Sequence, residues 1–143
     1  MHILRSVLVA FGILATAATA AAAPSPTVVL PGHESYGKPD MGASMAVLYG
    51  NPDKAGYYVV RMKVGAGWKF PPHFHPGREN VTVISGTFYA GMGSKWDDKK
   101  LTAFPAGSFI SVPPGAPHFA MAKGPTVVDI SGTEPLKDIL IKK

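Results

Sequence analysis

Glycine and proline interrupt this chain so often that long helices are excluded beyond its N-terminal segment. The sequence has 16 glycines and 14 prolines in 143 residues, and from Thr27 onward they divide it into short segments. Both residues disfavour helix interiors, glycine through its backbone entropy and proline through its missing N–H group. The segments between them are rich in β-branched and aromatic residues, which are typical of strands. The pattern therefore predicts an all-β domain.

Several segments show the alternation expected of half-buried strands. In the segment 57–64 apolar side chains occupy every second position from Tyr58, whereas Arg61 and Lys63 fall on the opposite face. Similar segments occur at regular spacing with turn residues between them, which predicts a sandwich or a small barrel. We predict strands at residues 45–49, 57–64, 81–84, 87–92, 101–104, 108–112, 118–121, 127–130 and 139–141, the last as an edge strand.

The N-terminal segment has the pattern of a signal for export. Arg5 precedes the apolar run VLVAFGIL at residues 7–14, and small residues lead to the alanines at 21–23. A charged start, an apolar middle and a small-residue end are typical of a secretory signal peptide. A membrane anchor is the alternative, but the apolar run is short for a bilayer span.

We therefore predict a signal peptide at residues 1–23 and a single domain at residues 24–143, with an N-terminal arm at about residues 24–44. The protein is expected to be exported, to the periplasm or the medium, without stable membrane insertion after the signal is removed. The apolar segment 27–30 is a candidate contact for a homodimer.

Composition excludes a disulfide-stabilised domain and argues against a nucleic-acid-binding protein. The chain has no cysteine, so core packing without disulfides must stabilise an exported domain. The formal net charge is +5, but lysines are concentrated only in the segment KWDDKK at residues 95–100, which also contains two aspartates. A mixed cluster of this kind is typical of a solvated loop and not of a phosphate-binding surface. We therefore expect no nucleic-acid partner.

Two histidines and a glutamate lie close together in the segment FPPHFHPGRE, residues 70–79. Residues two apart on a strand point to one face, so an extended segment would project His73 and His75 to the same side. Residues 76–77 then turn the chain, and Glu79 begins the next apolar strand. A carboxylate buried there needs a partner, because unpaired charge in apolar surroundings is costly. A divalent metal would be such a partner, although an isolated His-X-His pair is more often a surface feature.

The spacing of these residues matches the two sequence motifs of the cupin family. The fixed positions of the first motif are filled by Gly67, His73, His75, Glu79 and Gly86. Those of the second are filled by Gly107, Pro113, Gly115 and His118. The chain therefore resembles the small single-domain bacterial cupins with the type-2 conserved barrel.

The resemblance implies a cupin double-stranded β-helix, that is, a jelly-roll antiparallel barrel of about six to eight strands. It also implies that His73, His75, Glu79 and His118 bind one divalent transition metal inside the barrel. Three imidazoles and one carboxylate suit Mn, Fe, Ni, Cu or Zn, and the absence of thiolate ligands argues against a closed structural zinc site. Four ligands on an octahedral ion would leave positions open for water, dioxygen or a substrate.

One position departs from the second motif of the family. Asparagine is usual four residues after the final histidine, where this chain has Ala122. Strand parity places Ala120 and Ala122 on the same face as His118, so the departure removes a polar group from the pocket wall. By the same reasoning Val81 and Phe88 are predicted to line the pocket. The remaining aromatic residues are assigned mostly to core packing, and none of the side chains has a clear role as a general base.

Two functions of different classes fit these features. The first is an exported metal-dependent enzyme with oxygenase-, isomerase- or lyase-type chemistry on a small organic substrate. An apolar pocket would favour a small aromatic or carbonyl compound. The second is a non-catalytic module that binds a metal or a small ligand, which the missing amide and general base leave open. In both cases the expected partner is a small molecule, and the resemblance does not choose the reaction, because cupins host unrelated chemistries.

Overall fold

The structure of the protein is a computed structural model that describes residues 23–142. The segment assigned to the signal peptide lies outside the described residues, apart from Ala23, and its assignment stays a prediction. The described part of the chain contains ten strands and one short 3₁₀ turn, Asp98–Lys100. None of its helices has the length and hydropathy of a membrane span.

Every strand predicted from the sequence is present, with its ends displaced by two residues at most. The bounds are β1 Ala43–Tyr49, β2 Tyr58–Val64, β3 Lys69–Phe74, β4 Glu79–Ser85, β5 Thr87–Met92, β6 Thr102–Pro105, β7 Phe109–Val112, β8 His118–Ala122, β9 Thr126–Gly132 and β10 Ile139–Leu140.

The sequence pattern does not predict β3, because Pro71 and Pro72 lie within it and proline cannot donate to a strand ladder. The structure tolerates both prolines because the pairing of β3 with β8 is irregular between Phe70 and His73, where they stand. Extended backbone therefore continues through the prolines and delivers His73 to the interior.

The ten strands form two five-stranded sheets in which all neighbours are antiparallel. The first sheet has the order β1-β2-β9-β4-β7, and the second has the order β10-β3-β8-β5-β6. The last strand, β10, lies at a sheet edge, as predicted. This all-β arrangement is the double-stranded β-helix that the motif resemblance implied.

The core lies between the inner faces of the two sheets. Every second residue of β2 is buried, from Tyr58 through Val60 and Met62 to Val64, which is the alternation that the sequence predicts. Equivalent positions of β4, β8 and β9, with Ala43 of β1 and Phe88 of β5, complete the core. Burial of these apolar faces is the main force that holds the sheets together.

The N-terminal arm crosses the outer face of the first sheet before β1 begins. Arg61 of β2 pairs with Asp129 of β9, with Nε and Oδ1 2.7 Å apart, and its Nη1 lies 3.0 Å from Oε1 of Glu34 in the arm. The Gly37 N–H group donates to the Met45 carbonyl at 2.9 Å. These contacts attach the arm to the sheet, and residues after Gly37 line the cavity between the sheets.

Candidate metal centre

The four predicted metal ligands come together between the two sheets. His73 lies in β3 and is the register partner of His118, the first residue of β8. Glu79 begins β4, and His75 comes just after β3 ends. All four residues are buried, with exposures between 4% and 8%. Strand pairing therefore brings together side chains that are far apart in the sequence.

The side chains converge on one small volume. The potential ligand atoms of His73, His75 and His118 all lie within 4.8 Å of one another. Glu79 Oε2 is 3.2 Å from Nε2 of His118 and 3.4 Å from Nε2 of His75. One cation among these atoms would be within reach of all four residues.

Backbone carbonyls determine which imidazole nitrogen of each histidine faces this volume. A carbonyl oxygen can only accept a hydrogen bond, so a ring nitrogen beside it must carry the proton. Each Nδ1 has such a neighbour: the Pro71 carbonyl at 2.8 Å for His73, the Lys137 carbonyl at 3.1 Å for His75 and the Ala116 carbonyl at 3.0 Å for His118. In the neutral rings the lone pairs are therefore on Nε2.

The lone pairs of His75 and His118 face the Glu79 carboxylate, which is itself an acceptor. Nε2 of His75 is buried and has no hydrogen-bond partner among the described residues. Buried acceptors that face one another are unfavourable unless a proton or a metal ion lies between them. The donor set therefore fits a divalent metal, which imidazole Nε2 atoms and a carboxylate commonly bind.

Burial and mutual contacts shift the pKa values in this cluster. Burial, reinforced by His118, lowers the pKa of His73 to about 4, so that this ring is neutral near pH 7. Burial also acts to lower the pKa of His75, but the adjacent Glu79 carboxylate outweighs it and the pKa is raised. Burial acts to raise the pKa of Glu79, but the adjacent imidazoles of His118 and His75 outweigh it and the pKa is lowered. The cluster thus retains an ionised carboxylate that attracts a cation.

The cluster lies on the wall of a cavity of about 220 Å³ between the sheets. Of the predicted pocket residues, Val81, Phe88 and Ala120 line this cavity. Ala122 does not, so its assignment to the pocket is corrected. Strand parity correctly places Ala122 in the interior, where it is 0% exposed, but its methyl group packs in the core beside Phe88, its register partner on β5.

Other parts of the cavity wall are absent from the sequence assignment. Trp68 and Phe70 both line the cavity. Trp68 also packs against the core, and Phe70 packs against His73. Lys38, Asp40 and Met41 of the arm and Leu136 and Asp138 of the C-terminal segment also contribute. Apart from Leu136 these last residues are exposed, so they form the rim of the cavity.

Asp138 is a carboxylate of the rim that lies beside a predicted ligand. Its Oδ1 is 3.3 Å from Nδ1 of His75. Partial burial, together with the negative charge of Glu79, raises the pKa of Asp138 although His75 acts to lower it. Neither motif contains this residue, and its contact with His75 exists only because β10 pairs with β3.

Comparisons with known proteins bear on the family and the fold of this chain. A family model described as the ChrR cupin-like domain matches residues 25–136. Germin-like protein 5-1 of Oryza sativa subsp. japonica is 33% identical over 72 residues, which cover 48% of this chain and 31% of that protein. The matched segment thus spans about a third of the relative's length.

Two solved structures show the same fold. An RmlC-like cupin from Shewanella frigidimarina superposes with a TM-score of 0.63 at 18% identity and covers 79% of this chain and 94% of that one. The polyketide cyclase RemF from Streptomyces resistomycificus superposes with a TM-score of 0.59 at 19% identity and covers 71% of this chain and 72% of that one. With the family match across most of its length, the chain belongs to the ChrR cupin-like family of the cupin superfamily.

Proposed function

We propose that this protein is a metal-dependent enzyme that binds one divalent transition metal and acts on a small organic substrate in the adjoining cavity. One observation carries the proposal: three buried imidazole lone pairs converge with a buried, ionised carboxylate. Such a set of acceptors needs a shared cation. His73, His75 and His118 would bind it through Nε2, and Glu79 would bind it through Oε2.

The donor set suits Mn, Fe, Ni, Cu or Zn. A metal bound here would supply Lewis-acid or redox chemistry at coordination positions that the protein does not fill. The apolar cavity wall would exclude water from the substrate. Asp138 Oδ1, at the rim and with a raised pKa, is a candidate acceptor for a substrate proton. These features favour oxygenase-, isomerase- or lyase-type chemistry, and the cyclase RemF shows that a protein with this fold can be an enzyme.

A non-catalytic binding module is the alternative function. Ala122 replaces the amide that is usual in the second motif, and the cavity wall beyond the ligands and the rim is apolar. A protein of this kind would bind the metal or a small ligand without turnover. The two functions share the metal site and differ in whether binding leads to a chemical reaction.

The metal site is tested by replacing one ligand. We expect His75→Ala to abolish stoichiometric metal, because it removes one Nε2 donor from the buried set. Elemental analysis of the purified protein measures the metal, and far-UV circular dichroism checks that the β-fold remains. His33→Ala is the matched control, because His33 is exposed in the arm and should leave the metal content unchanged. Full metal content in folded His75→Ala protein would refute the ligand assignment.

Turnover distinguishes the enzyme from the binding module. The Fe(II) and Mn(II) forms should be assayed in an oxygen electrode with catechols, thiols and diketones, and the products analysed for isomerisation or cleavage. Product formation that depends on His75 supports the enzyme. A ligand that raises the melting temperature without any turnover across this panel would support the module.

Export and self-association are separate proposals that the N-terminal part of the chain supports. The order of charged, apolar and small residues favours cleavage and export. Val28 and Leu30 are 67% and 58% exposed, which favours an apolar contact with a second copy. N-terminal sequencing of protein from the periplasm and the medium tests the first proposal, and sedimentation velocity tests the second. An intact N-terminus in the cytoplasmic fraction would contradict export. A monomer at high concentration would contradict self-association.

A further inference from the structure

A row of aromatic rings runs along the cavity wall to the metal cluster. The ring centroids of Phe88 and Trp68 are 6.3 Å apart, those of Trp68 and Phe70 are 5.9 Å apart, and those of Phe70 and His73 are 4.6 Å apart. All four residues line the cavity. The row therefore connects the apolar part of the cavity directly with one of the predicted metal ligands.

The first three rings of this row are nearly parallel. Trp68 is inclined to Phe88 by 30° and to Phe70 by 22°, whereas Phe70 meets His73 edge-on at 88°. The other sheet contributes only apolar, non-aromatic side chains to the cavity apart from Glu79: Met45, Met62, Val81, Ile110, Val112 and Ile130, together with Ala43. An aromatic wall thus stands across from an aliphatic wall, which favours flat apolar molecules.

The arm holds the central ring of the row in position. The Trp68 Nε1–H group donates to the Met41 carbonyl at 3.0 Å. Gly42, whose φ is +79°, approaches the indole so closely that an added Cβ would lie 3.2 Å from Cδ1. A ring fixed before the ligand arrives loses little conformational freedom on binding. Trp68 is therefore preorganised as a part of the cavity wall.

We propose that the substrate is a planar aromatic compound that carries a metal-chelating oxygen group at one edge. Its ring contacts the wall formed by Trp68, Phe70 and Phe88, and its oxygen group reaches the metal beside His73. The cavity of about 220 Å³ is smaller than the roughly 300–1,000 Å³ of sites for drug-sized ligands, so the compound has one or two rings. The chelating contact rests on the metal function proposed above, whereas the aromatic contact does not.

Two chelators that differ only in ring type test this substrate class. Benzohydroxamate and cyclohexanecarbohydroxamate carry the same chelating group on a flat and a puckered ring. Titration calorimetry with the zinc-loaded protein should show about 3- to 10-fold tighter binding of the aromatic compound, the range expected for an added aromatic pair. The preference should disappear in Trp68→Leu and persist in Trp68→Phe, which retains a ring.

Trp96→Leu is the matched control for the tryptophan substitution. The Trp96 ring packs on Phe119, which lies on the opposite face of β8 from His118 and Ala120. Its replacement should leave the preference between the two hydroxamates unchanged. An equal loss in both tryptophan variants would show a general loss of structure and would overturn the role of Trp68.

Measurements on the metal-free protein separate this inference from the metal function. Benzyl alcohol and cyclohexylmethanol do not chelate, and their binding can be followed by NMR line shifts. Preference for benzyl alcohol that depends on Trp68 supports the aromatic wall whether or not a metal binds. No preference for the aromatic member of either pair would overturn the proposal. If the aromatic compounds are preferred but zinc does not tighten the binding of the hydroxamates, the proposed chelating contact is overturned. This result would also count against the metal site.

Discussion

His75 is held in place by a part of the chain that lies outside its sequence motif. Its Nδ1 faces the Lys137 carbonyl at 3.1 Å and Asp138 Oδ1 at 3.3 Å. Such partners of a ligating histidine fix its tautomer and the direction of its ring. The orientation of Nε2 toward Glu79 therefore depends on the C-terminal segment before β10.

We expect Asp138→Asn to weaken metal binding by about 10-fold, at the low end of the range for partners of ligating histidines, because the Lys137 carbonyl remains. The substitution keeps the shape of the side chain and removes the charge beside His75. Competition with a chromogenic chelator at constant pH measures the metal affinity. Asp40→Asn is the control, because Asp40 also lines the cavity but forms no ion pair with a histidine of the described chain. Equal affinities for the two variants would contradict the role of Asp138.

At the scale of single residues, the predictable part of the site is the part that local spacing encodes. The first motif contains His73, His75 and Glu79 at fixed spacing. Strand geometry independently predicts that the two histidines point to the same face. Asp138 and the rim residues of the arm carry no such signal, because their neighbours in space are distant in sequence. Ala122 shows the limit of parity, which identifies the face of a strand but not how far along that face the cavity extends.

At the scale of elements, two motif glycines differ in what surrounds them. Gly86, between β4 and β5, has φ of +76°, and an added Cβ would lie 2.4 Å from the Pro125 carbonyl oxygen. Gly107, before β7, has φ of +89°, but an added Cβ would have no atom of residues 23–142 within 4 Å. Both positions need the left-handed conformation, which glycine adopts readily. At Gly86 alone, the close packing also requires that the residue has no side chain.

Alanine at these two positions should therefore cost different amounts of stability. Gly107→Ala is expected to lower the free energy of unfolding by about 1 to 2 kcal/mol, from the left-handed backbone alone. Gly86→Ala should lower it by a further 1 to 3 kcal/mol, roughly, because the strands must shift to admit the methyl group. Urea denaturation of the two variants beside the wild type measures both values. Similar losses would show that the close contact at Gly86 is relieved without cost.

The strands themselves were largely predictable because apolar alternation and turn residues are local features. In β3 the local signal and the structure disagree, since Pro71 and Pro72 argue against a strand. Its formation depends on two neighbours, β8 and β10, that pair with the positions around the prolines. The order of strands within the two sheets is also a tertiary property, and only the resemblance to a known family could predict it.

At the scale of the whole molecule, the packing of the two sheets buries the phenol of Tyr58 and so makes global stability depend on pH in the alkaline range. Tyr58 of β2 is 2% exposed, and burial, with the charges of Glu79 and Asp138, raises its pKa to about 12 from 10.0. The unfolded chain releases this phenolic proton near pH 10, whereas the folded protein retains it up to about pH 12. Stability is therefore fully present below pH 10 and decreases as the pH rises between these two values.

We expect the titration of Tyr58 to lower the free energy of unfolding of the metal-free protein by about 2 kcal/mol as the pH rises from 9 to 11.5. Tyr58→Phe cannot lose a phenolic proton, so its unfolding free energy should fall by about 2 kcal/mol less over the same interval. Urea denaturation at the two pH values measures the difference. Tyr49→Phe is the matched control, because Tyr49 is 51% exposed and should leave the pH dependence as it is in the wild type. If Tyr58→Phe and the wild type lost stability in parallel, the phenol would titrate alike in the folded and unfolded chains, and its buried proton would not contribute to the stability of the packed sheets.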